Sequence, residues 1–280
     1  MATYEKAENK FVTIHGVKHA YRLFGQSQGV PLFLHPHFRG NMDFWDPAFI
    51  NPQAARRPIL LVDITGVGRS EGEVPTKYST WAQVAIDVAE ALGISKLDIL
   101  GFSMSGFVVQ LIALQAPHLV RKIVVAGAGP SAGEGVLASD PEYFSQVASA
   151  TTEDESRQAF KWTFFSCSDK KQQVGEQWWQ HMTSARKDRA PLLGPQGVQN
   201  QLAAHRDEGS YDRLDWITIP VLVANGSNDL LVTTENSYVL WKRLVNADAH
   251  LHLYPDSGHG FLDEYHDHFS NLVNVFLDEE

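Results

Sequence analysis

Short apolar stretches alternate with stretches of helical periodicity along most of the chain. This alternation is typical of a mostly parallel sheet that is covered by helices on both faces. The later stretches are nearly continuous in apolar residues, as expected of strands buried on both faces. The first two, joined at Gly16-Val17, predict an antiparallel start. The eight predicted strands are KFVTIHG, AYRLFG, VPLFLH, RPILLVD, KLDILGF, RKIVVAG, IPVLVANG and HLHLYPD.

A helix is predicted between the fourth and fifth strands, where apolar residues recur at helical spacing from Trp81 to Leu92. Ser79 or Thr80 is expected to cap its N-terminus, and Gly93 is expected to end it. Helical patterns also occupy the stretches SGFVVQLIALQ, ENSYVLWKRLV and EYHDHFSNLVNVFLDE. The sequence therefore predicts an α/β fold.

The alternation stops between about Pro130 and Tyr211. This stretch has no strong strand pattern and no repeat, and a structureless loop of that length is improbable in a compact domain. We therefore expect residues 131–210 to form a helical lid, inserted into a core domain of residues 1–130 and 211–280. Most aromatic residues of the lid are expected to form the lid's own core.

The composition narrows the class of protein. Of 280 residues, 44% are hydrophobic and 20% are charged, which is usual for a globular protein. The net charge is −10 and the basic residues are scattered, so we expect no nucleic-acid partner. No apolar run approaches the roughly 18 residues of a membrane span. The start, MATYEKAENK, lacks an apolar signal core, so a cytoplasmic protein that binds no membrane is expected.

Metal and cysteine chemistry are not expected. The single cysteine, Cys167, excludes an internal disulfide framework and a cysteine-based zinc cluster. The histidines form three H-x-H pairs: His35 with His37, His250 with His252, and His266 with His268. No third metal ligand and no HExxH spacing accompany these pairs, so a metal site is not expected.

A sharp turn is predicted in DILGFSMSGFVVQ, where a strand ends directly before a helix. A strand-to-helix turn of the form G-x-S-x-G is a nucleophile elbow, which exposes a serine hydroxyl beyond the carboxyl end of the sheet. The residues two positions before and two positions after the nucleophile must be small. Gly101 and Ser105 satisfy this for Ser103, whereas Phe107 is too bulky for Ser105 to be the nucleophile. Ser103 is the candidate nucleophile.

A serine nucleophile needs a base, and a histidine oriented by a carboxylate is the usual one. His259 follows the last predicted strand, and Asp229 follows the strand before it. Both fall where the carboxyl ends of strands deliver side chains to the same edge. Asp256 and Asp63 are the rival acids, each more simply explained as a loop or structural residue.

These motifs resemble those of the α/β-hydrolase fold family, and the similarity runs from about Phe33 to Phe261 outside the lid. The order Ser103, Asp229, His259 is the order that this architecture uses. DITGVGRS is similar to the family's D-x-x-G-x-G-x-S segment, and HPHFRGNMDFWDP resembles its oxyanion-hole loop. The closest similarity is to the cofactor-free haloperoxidase-like branch of esterases, lactonases and perhydrolases.

The resemblance implies an oxyanion hole made by two backbone N–H groups. Met104, which follows the nucleophile, supplies one. Pro36 has no N–H to donate, so alignment of the HFRGN segment makes Phe38 the second donor and His37 the alternative.

The expected activity is hydrolysis, without a cofactor, of a small carboxylic ester or lactone with an apolar or aromatic body. Trp162, Phe165 and Trp178 of the lid are expected to contact this substrate. Alternatives with the same triad are a carbon–carbon bond hydrolase acting on vinylogous diketones, a perhydrolase, and a ligand receptor built on the same fold. The C-terminal helix could be an outer face or the contact of a homodimer.

Overall fold

The computed structural model describes residues 2–205 and 209–279. Within these residues the chain forms an eight-stranded sheet flanked by helices, which confirms the predicted fold class. The strands are β1 (Lys10–Ile14), β2 (Val17–Gly25), β3 (Leu32–His35), β4 (Pro58–Val62), β5 (Leu97–Phe102), β6 (Val120–Ala126), β7 (Val221–Gly226) and β8 (Ala249–Tyr254).

The α-helices of the described residues fall between and after these strands. They are α1 (Pro47–Ala54), α2 (Tyr78–Ala91), α3 (Met104–Gln115), α4 (Pro141–Ser149), α5 (Glu153–Phe164), α6 (Asp169–Ser184), α7 (Pro195–Ala204), α8 (Thr234–Arg243), α9 (Phe261–Glu264) and α10 (His266–Asp278).

The strand order across the sheet is β1-β2-β4-β3-β5-β6-β7-β8. β1 and β2 form the predicted antiparallel hairpin, with its turn at His15 and Gly16 rather than at Gly16-Val17, and β2 is also antiparallel to β4. The strands from β3 to β8 are parallel. Since β3, β4, β5 and β7 are buried along their whole length, and β6 everywhere except at Arg121, their nearly unbroken apolar sequences follow from this position.

Two helix pairs cover the sheet, with α2 packed against α3 and α1 packed against α10. The predicted helix α2 ends as expected, with Gly93 at φ +71 just after its last turn. Its start differs from the prediction: the helix begins at Tyr78, so Ser79 and Thr80 lie inside the first turn and do not cap it. The buried ring of Tyr78, which stacks on that of Phe107, explains the earlier start.

Four helices, α4 to α7, lie between β6 and β7, in the segment predicted to be the lid. The structure describes no strand in residues 131–205 and 209–210, and positions 206–208 of the predicted lid lie outside the described residues. No helix among the described residues combines the length and the apolar character needed to span a membrane.

Candidate active site

Ser103 occupies the turn between the end of β5 and the start of α3. Its backbone has φ 60° and ψ −129°, a conformation that residues with a side chain rarely adopt. Two backbone hydrogen bonds hold it there: Ser103 N donates to Ala126 O at 2.8 Å, and Gly106 N donates to Ser103 O at 2.8 Å. Strain of this kind is held only where the surroundings enforce it, and it is concentrated at functional sites.

Close packing around the turn explains its two glycines. A Cβ atom added at Gly101 would lie 2.2 Å from the carbonyl oxygen of Ser105. A Cβ atom added at Gly106 would lie 2.3 Å from the Cβ atom of Ala128, on the segment after β6. The backbone of position 105 therefore passes too close for a larger residue at position 101, whereas position 105 itself accepts a side chain.

Ser105 is buried and its hydroxyl is fully used in a structural network. It donates to the carbonyl oxygen of Pro36 and lies 2.6 Å from Nδ1 of His35. Because the hydroxyl proton goes to Pro36, His35 Nδ1–H donates to Ser105 Oγ. Burial lowers the pKa of His35 to about 4, so this imidazole is neutral at pH 7. Ser105 therefore ties the loop after β3 to the elbow.

Ser105→Ala is expected to lower the free energy of unfolding by about 1–3 kcal/mol, because it leaves buried polar groups without their partner. Urea denaturation followed by tryptophan fluorescence measures this change. Ser145→Ala, at an exposed position of α4, is the matched control and should change stability by no more than about 0.5 kcal/mol. Equal effects of the two substitutions would contradict the role given to Ser105.

His259 and Asp229 form a buried pair at the same edge of the sheet. His259 Nδ1 lies 2.7 Å from Asp229 Oδ2, and the other carboxylate oxygen accepts from the N–H groups of Leu231 (2.8 Å) and Val232 (2.9 Å). The carboxylate accepts, so a neutral imidazole carries its proton on Nδ1 and its lone pair on Nε2. This Nε2 is buried and has no hydrogen-bond partner among the described residues.

The pair lies next to the elbow. The ring of Phe102, the residue before Ser103, is centred 4.9 Å from the imidazole of His259. The ring of Phe164 is centred 5.1 Å from the same imidazole and lines a small space beside Ser103. The structure thus brings the three predicted triad residues to one edge.

The rival acids have other contacts. Asp63 is buried and accepts from the N–H groups of Met42 (2.8 Å) and Arg69 (2.9 Å), so it joins the loops after β3 and β4. Burial raises the pKa of Asp63 to about 6. Asp256 is exposed in the turn after β8. Of the three candidate acids, Asp229 is the one that contacts His259.

The predicted oxyanion donors lie on two sides of Ser103. Met104 is the first residue of α3, and His37 and Phe38 line the small space beside the serine. Within residues 2–205 and 209–279, none of these three backbone N–H groups donates to a protein acceptor. A buried N–H without an acceptor is uncommon, so these groups are available to a substrate oxygen. Their role, with Phe38 first and His37 as the alternative, stays a prediction.

Ser103 opens on a cavity of about 470 Å³, which is large enough for a small organic substrate. Its walls are mainly apolar and come from the elbow, from the segment 130–139 and from the loop after β7. On its other side Ser103 borders a space of only about 10 Å³. Among the described residues, the large cavity is lined by Tyr78, Met104, Phe107, Pro130, Ser131, Ala132, Gly133, Val136, Leu137, Ala138, Ser139, Phe144, His205, Leu231, Val232 and Asn236.

The lid aromatics that were expected to contact substrate lie elsewhere. Trp162 stacks on Tyr143 at 4.4 Å beside a separate surface groove, and Phe165 and Trp178 pack against each other at 5.6 Å. Trp162 is half-buried, whereas Phe165 and Trp178 are buried; none of these three residues lines the large cavity or the small space beside Ser103.

Other lid residues border the serine. Phe144 and His205 line the large cavity, and Phe160 and Phe164 line the small space. These four contacts could not be predicted from the sequence, because helical periodicity shows that a face is apolar but does not show which neighbour it meets.

The H-x-H pairs make separate contacts. His35 bonds to Ser105, His37 Nδ1 lies 2.8 Å from the carbonyl oxygen of Phe38, and the ring of His252 stacks on that of His268 at 5.3 Å. Across the described ranges, no group of three or more His, Cys, Asp or Glu side chains is placed to hold a metal ion.

Comparison with known proteins identifies the family. Residues 30–264 match the model of the alpha/beta hydrolase fold, so the chain belongs to that family, and its relatives identify it as a hydrolase. It is similar to the solved alpha/beta hydrolase fold protein from Chitinophaga pinensis, with 31% identity, a TM-score of 0.91 and 100% of both chains covered.

Two curated hydrolases are more distant relatives. The 2-hydroxymuconate semialdehyde hydrolase of Pseudomonas putida is 26% identical over 232 residues, 80% of this chain and 78% of that protein. The putative carbamate hydrolase RutD of Variovorax paradoxus is 24% identical over 243 residues, 85% of this chain and 88% of that protein.

Proposed function

We propose that the protein is a serine hydrolase that cleaves a neutral carboxylic ester or lactone with a small apolar or aromatic body. One observation carries this proposal. Ser103 has the strained backbone of a nucleophile elbow and opens on an apolar cavity, beside a buried histidine–aspartate pair whose Nε2 has no protein partner among the described residues.

In the first half of the reaction, Ser103 Oγ attacks the acyl carbonyl carbon while His259 Nε2 takes the hydroxyl proton. Asp229 holds the imidazole in the required tautomer and stabilises the imidazolium. The carbonyl oxygen becomes negatively charged and is bound by the N–H groups of Met104 and Phe38. His259 then gives its proton to the leaving alkoxide, and the acyl group stays on Ser103.

In the second half, His259 removes a proton from a water molecule, and the resulting hydroxide attacks the acyl carbon. The same two N–H groups bind the oxyanion again. When the ester bond to Ser103 breaks, His259 returns the proton to Oγ and the carboxylic acid leaves. This route needs no cofactor.

The walls of the cavity favour a neutral substrate. No Lys, Arg, Asp or Glu side chain lines it within residues 2–205 and 209–279. A substrate that carries a carboxylate would lose its hydration there without gaining an ion pair from these residues, and this transfer is costly. The body of the substrate is therefore expected to be apolar or aromatic.

The second candidate function is carbon–carbon bond hydrolysis of a vinylogous diketone. It is favoured by the similarity to the 2-hydroxymuconate semialdehyde hydrolase, which extends over 80% of this chain. The same serine, histidine and aspartate would serve this reaction. The two candidates differ in the bond that is cleaved rather than in the catalytic groups.

A substrate panel separates the two candidates. Purified protein is assayed with p-nitrophenyl esters of neutral acids, with an aromatic δ-lactone, and with a vinylogous diketone that bears a carboxylate. We expect kcat/KM for the best neutral ester or lactone to exceed that for the charged diketone by about tenfold or more, which corresponds to about 1.4 kcal/mol. The opposite order would overturn the ester or lactone assignment and favour the carbon–carbon hydrolase. If every substrate in the panel yields less than one product molecule per protein molecule, the result would favour a ligand receptor.

A further inference from the structure

The loop that carries the predicted oxyanion donor turns sharply at residues 37–40. Gly40 N donates to His37 O at 2.9 Å and closes the turn. Arg39, the third residue of this turn, has φ +63°, which is in the left-handed region that favours glycine. A residue with a side chain keeps this conformation only when its surroundings hold it.

The peptide unit between Phe38 and Arg39 is held at both of its polar ends. Its carbonyl oxygen lies 2.8 Å from His37 Nδ1, and because a carbonyl accepts, this nitrogen donates. Its N–H donates to Gln201 Oε1 at 2.8 Å. Gln201 lies on α7 and is only 1% exposed, so water does not replace this acceptor easily. The two bonds oppose rotation of this peptide plane.

The lid holds the same turn through two side chains. Nη1 of Arg39 donates to the carbonyl oxygen of Val147 at 2.5 Å, near the end of α4. The ring of Phe38 stacks on that of Phe144, also on α4, at 4.9 Å. Two lid helices, α4 and α7, therefore fix the backbone of the oxyanion loop.

We propose that Gln201 is a positioning residue for the oxyanion hole. This proposal rests on the proposed serine hydrolase function. Gln201 accepts from the Arg39 N–H, which keeps Arg39 in its left-handed conformation and so limits the directions open to the neighbouring N–H of Phe38. Without this acceptor, only the His37 bond opposes rotation of the Phe38–Arg39 peptide, so Arg39 can relax to negative φ and the donor at Phe38 loses its fixed direction. The loss falls on the charged transition state more than on substrate binding, because the N–H bond to oxygen strengthens as charge develops.

Three variants on α7 test this proposal. Gln201→Met keeps the length of the side chain and removes the acceptor, whereas Gln201→Glu keeps an acceptor oxygen at the same place. Gln196→Met is the matched control, since Gln196 is exposed on the same helix. For each variant kcat and KM are measured with the best ester, and the inhibition constant of an alkylboronic acid is measured, because its tetrahedral adduct on the serine places an oxygen in the oxyanion hole. A thermal melt verifies the fold.

We expect Gln201→Met to lower kcat by about 10- to 100-fold. This loss is smaller than the loss in kcat that follows complete removal of one oxyanion-hole donor. Its KM should change less than about twofold, and the boronic acid should bind more weakly by a similar factor to the loss in kcat. Gln201→Glu and Gln196→Met should stay near wild type in kcat. Together these results would support the proposal.

Three results would overturn it: an unchanged kcat in Gln201→Met, an equal loss in Gln201→Met and Gln201→Glu, or an effect on KM alone. Failure of the proposed function looks different. In that case the wild-type protein itself would neither hydrolyse the esters nor bind the boronic acid at Ser103.

Discussion

Replacing Ser103 with alanine is expected to lower kcat for the best ester by about four to six orders of magnitude, while the protein stays folded. The substitution removes the oxygen that forms the acyl-enzyme, and His259 and Asp229 cannot replace it. The remaining turnover would come from binding and from the oxyanion hole. Steady-state kinetics, with a thermal melt of the same sample, measures both parts of this prediction.

Ser105→Ala is the informative comparison, since it removes the other hydroxyl of the elbow. Ser105 donates to Pro36 and contacts His35, so its loss should affect stability far more than chemistry. A Ser103→Ala protein that keeps a tenth or more of the wild-type kcat would show that another group is the nucleophile. A folded Ser105→Ala protein that loses about four or more orders of magnitude in kcat would also show that Ser103 is not the nucleophile.

Asp43→Asn is expected to lower the free energy of unfolding by about 3–5 kcal/mol, because it removes the negative charge that neutralises the buried guanidinium of Arg22. Asp43 Oδ1 lies 2.5 Å from Arg22 Nη2, and Oδ2 lies 2.7 Å from Arg69 Nη1. Burial alone would raise the pKa of Asp43, but the arginines and the N–H of Ala190 hold it below its ordinary value. Both Arg22 and Asp43 are almost completely buried.

The same aspartate also contacts the predicted lid. Ala190 N, in the segment between α6 and α7, donates to Asp43 Oδ2 at 2.7 Å. Asp154→Asn is the matched control, since Asp154 pairs with Arg157 at 3.1 Å while its side chain is 87% exposed. Loss of that pair should cost about 1 kcal/mol or less. Urea denaturation of the three proteins compares them, and equal stability of Asp43→Asn and Asp154→Asn would contradict the role given to the buried cluster.

The sheet could be predicted because its strands have a strong local signal. β4 (PILLV) and β7 (VLVANG) are buried along their whole length, and a nearly unbroken apolar run is the direct consequence of that position. The hairpin of β1 and β2 was predicted for a similar reason. Its turn at His15 and Gly16 requires positive φ at both residues, and a glycine between two strand patterns indicates such a turn.

The elbow and the acid–base pair could also be predicted, because each of their residues lies beside a strand or helix with a clear local pattern. Gly101, Ser103 and the helix after them are adjacent in sequence, and His259 and Asp229 each follow a predictable strand. Parallel strands deliver such residues to one edge whatever the details of packing. The strained backbone of Ser103 and the 2.7 Å contact of the pair are consistent with these predictions.

The contacts of the lid could not be predicted, because they join residues that are far apart in sequence. Gln201 meets the backbone of Arg39 across 162 positions, and Ala190 meets Asp43 across 147. Periodicity places Trp178 on an apolar face of α6 but does not show whether that face meets α5 or the cavity. The cap of α2 was wrong for a related reason, since burial of Tyr78 against α3 moved the helix start.

Reaction of the wild-type protein with a fluorophosphonate, followed by mass-spectrometric mapping of the adduct, is the most direct test of the proposed chemistry. The reagent phosphonylates a hydroxyl that is activated by a neighbouring base and bound in an oxyanion hole. We expect one adduct per chain, on Ser103, with loss of esterase activity in proportion to labelling. An adduct on Ser105, or full activity in protein that carries the adduct on Ser103, would contradict it.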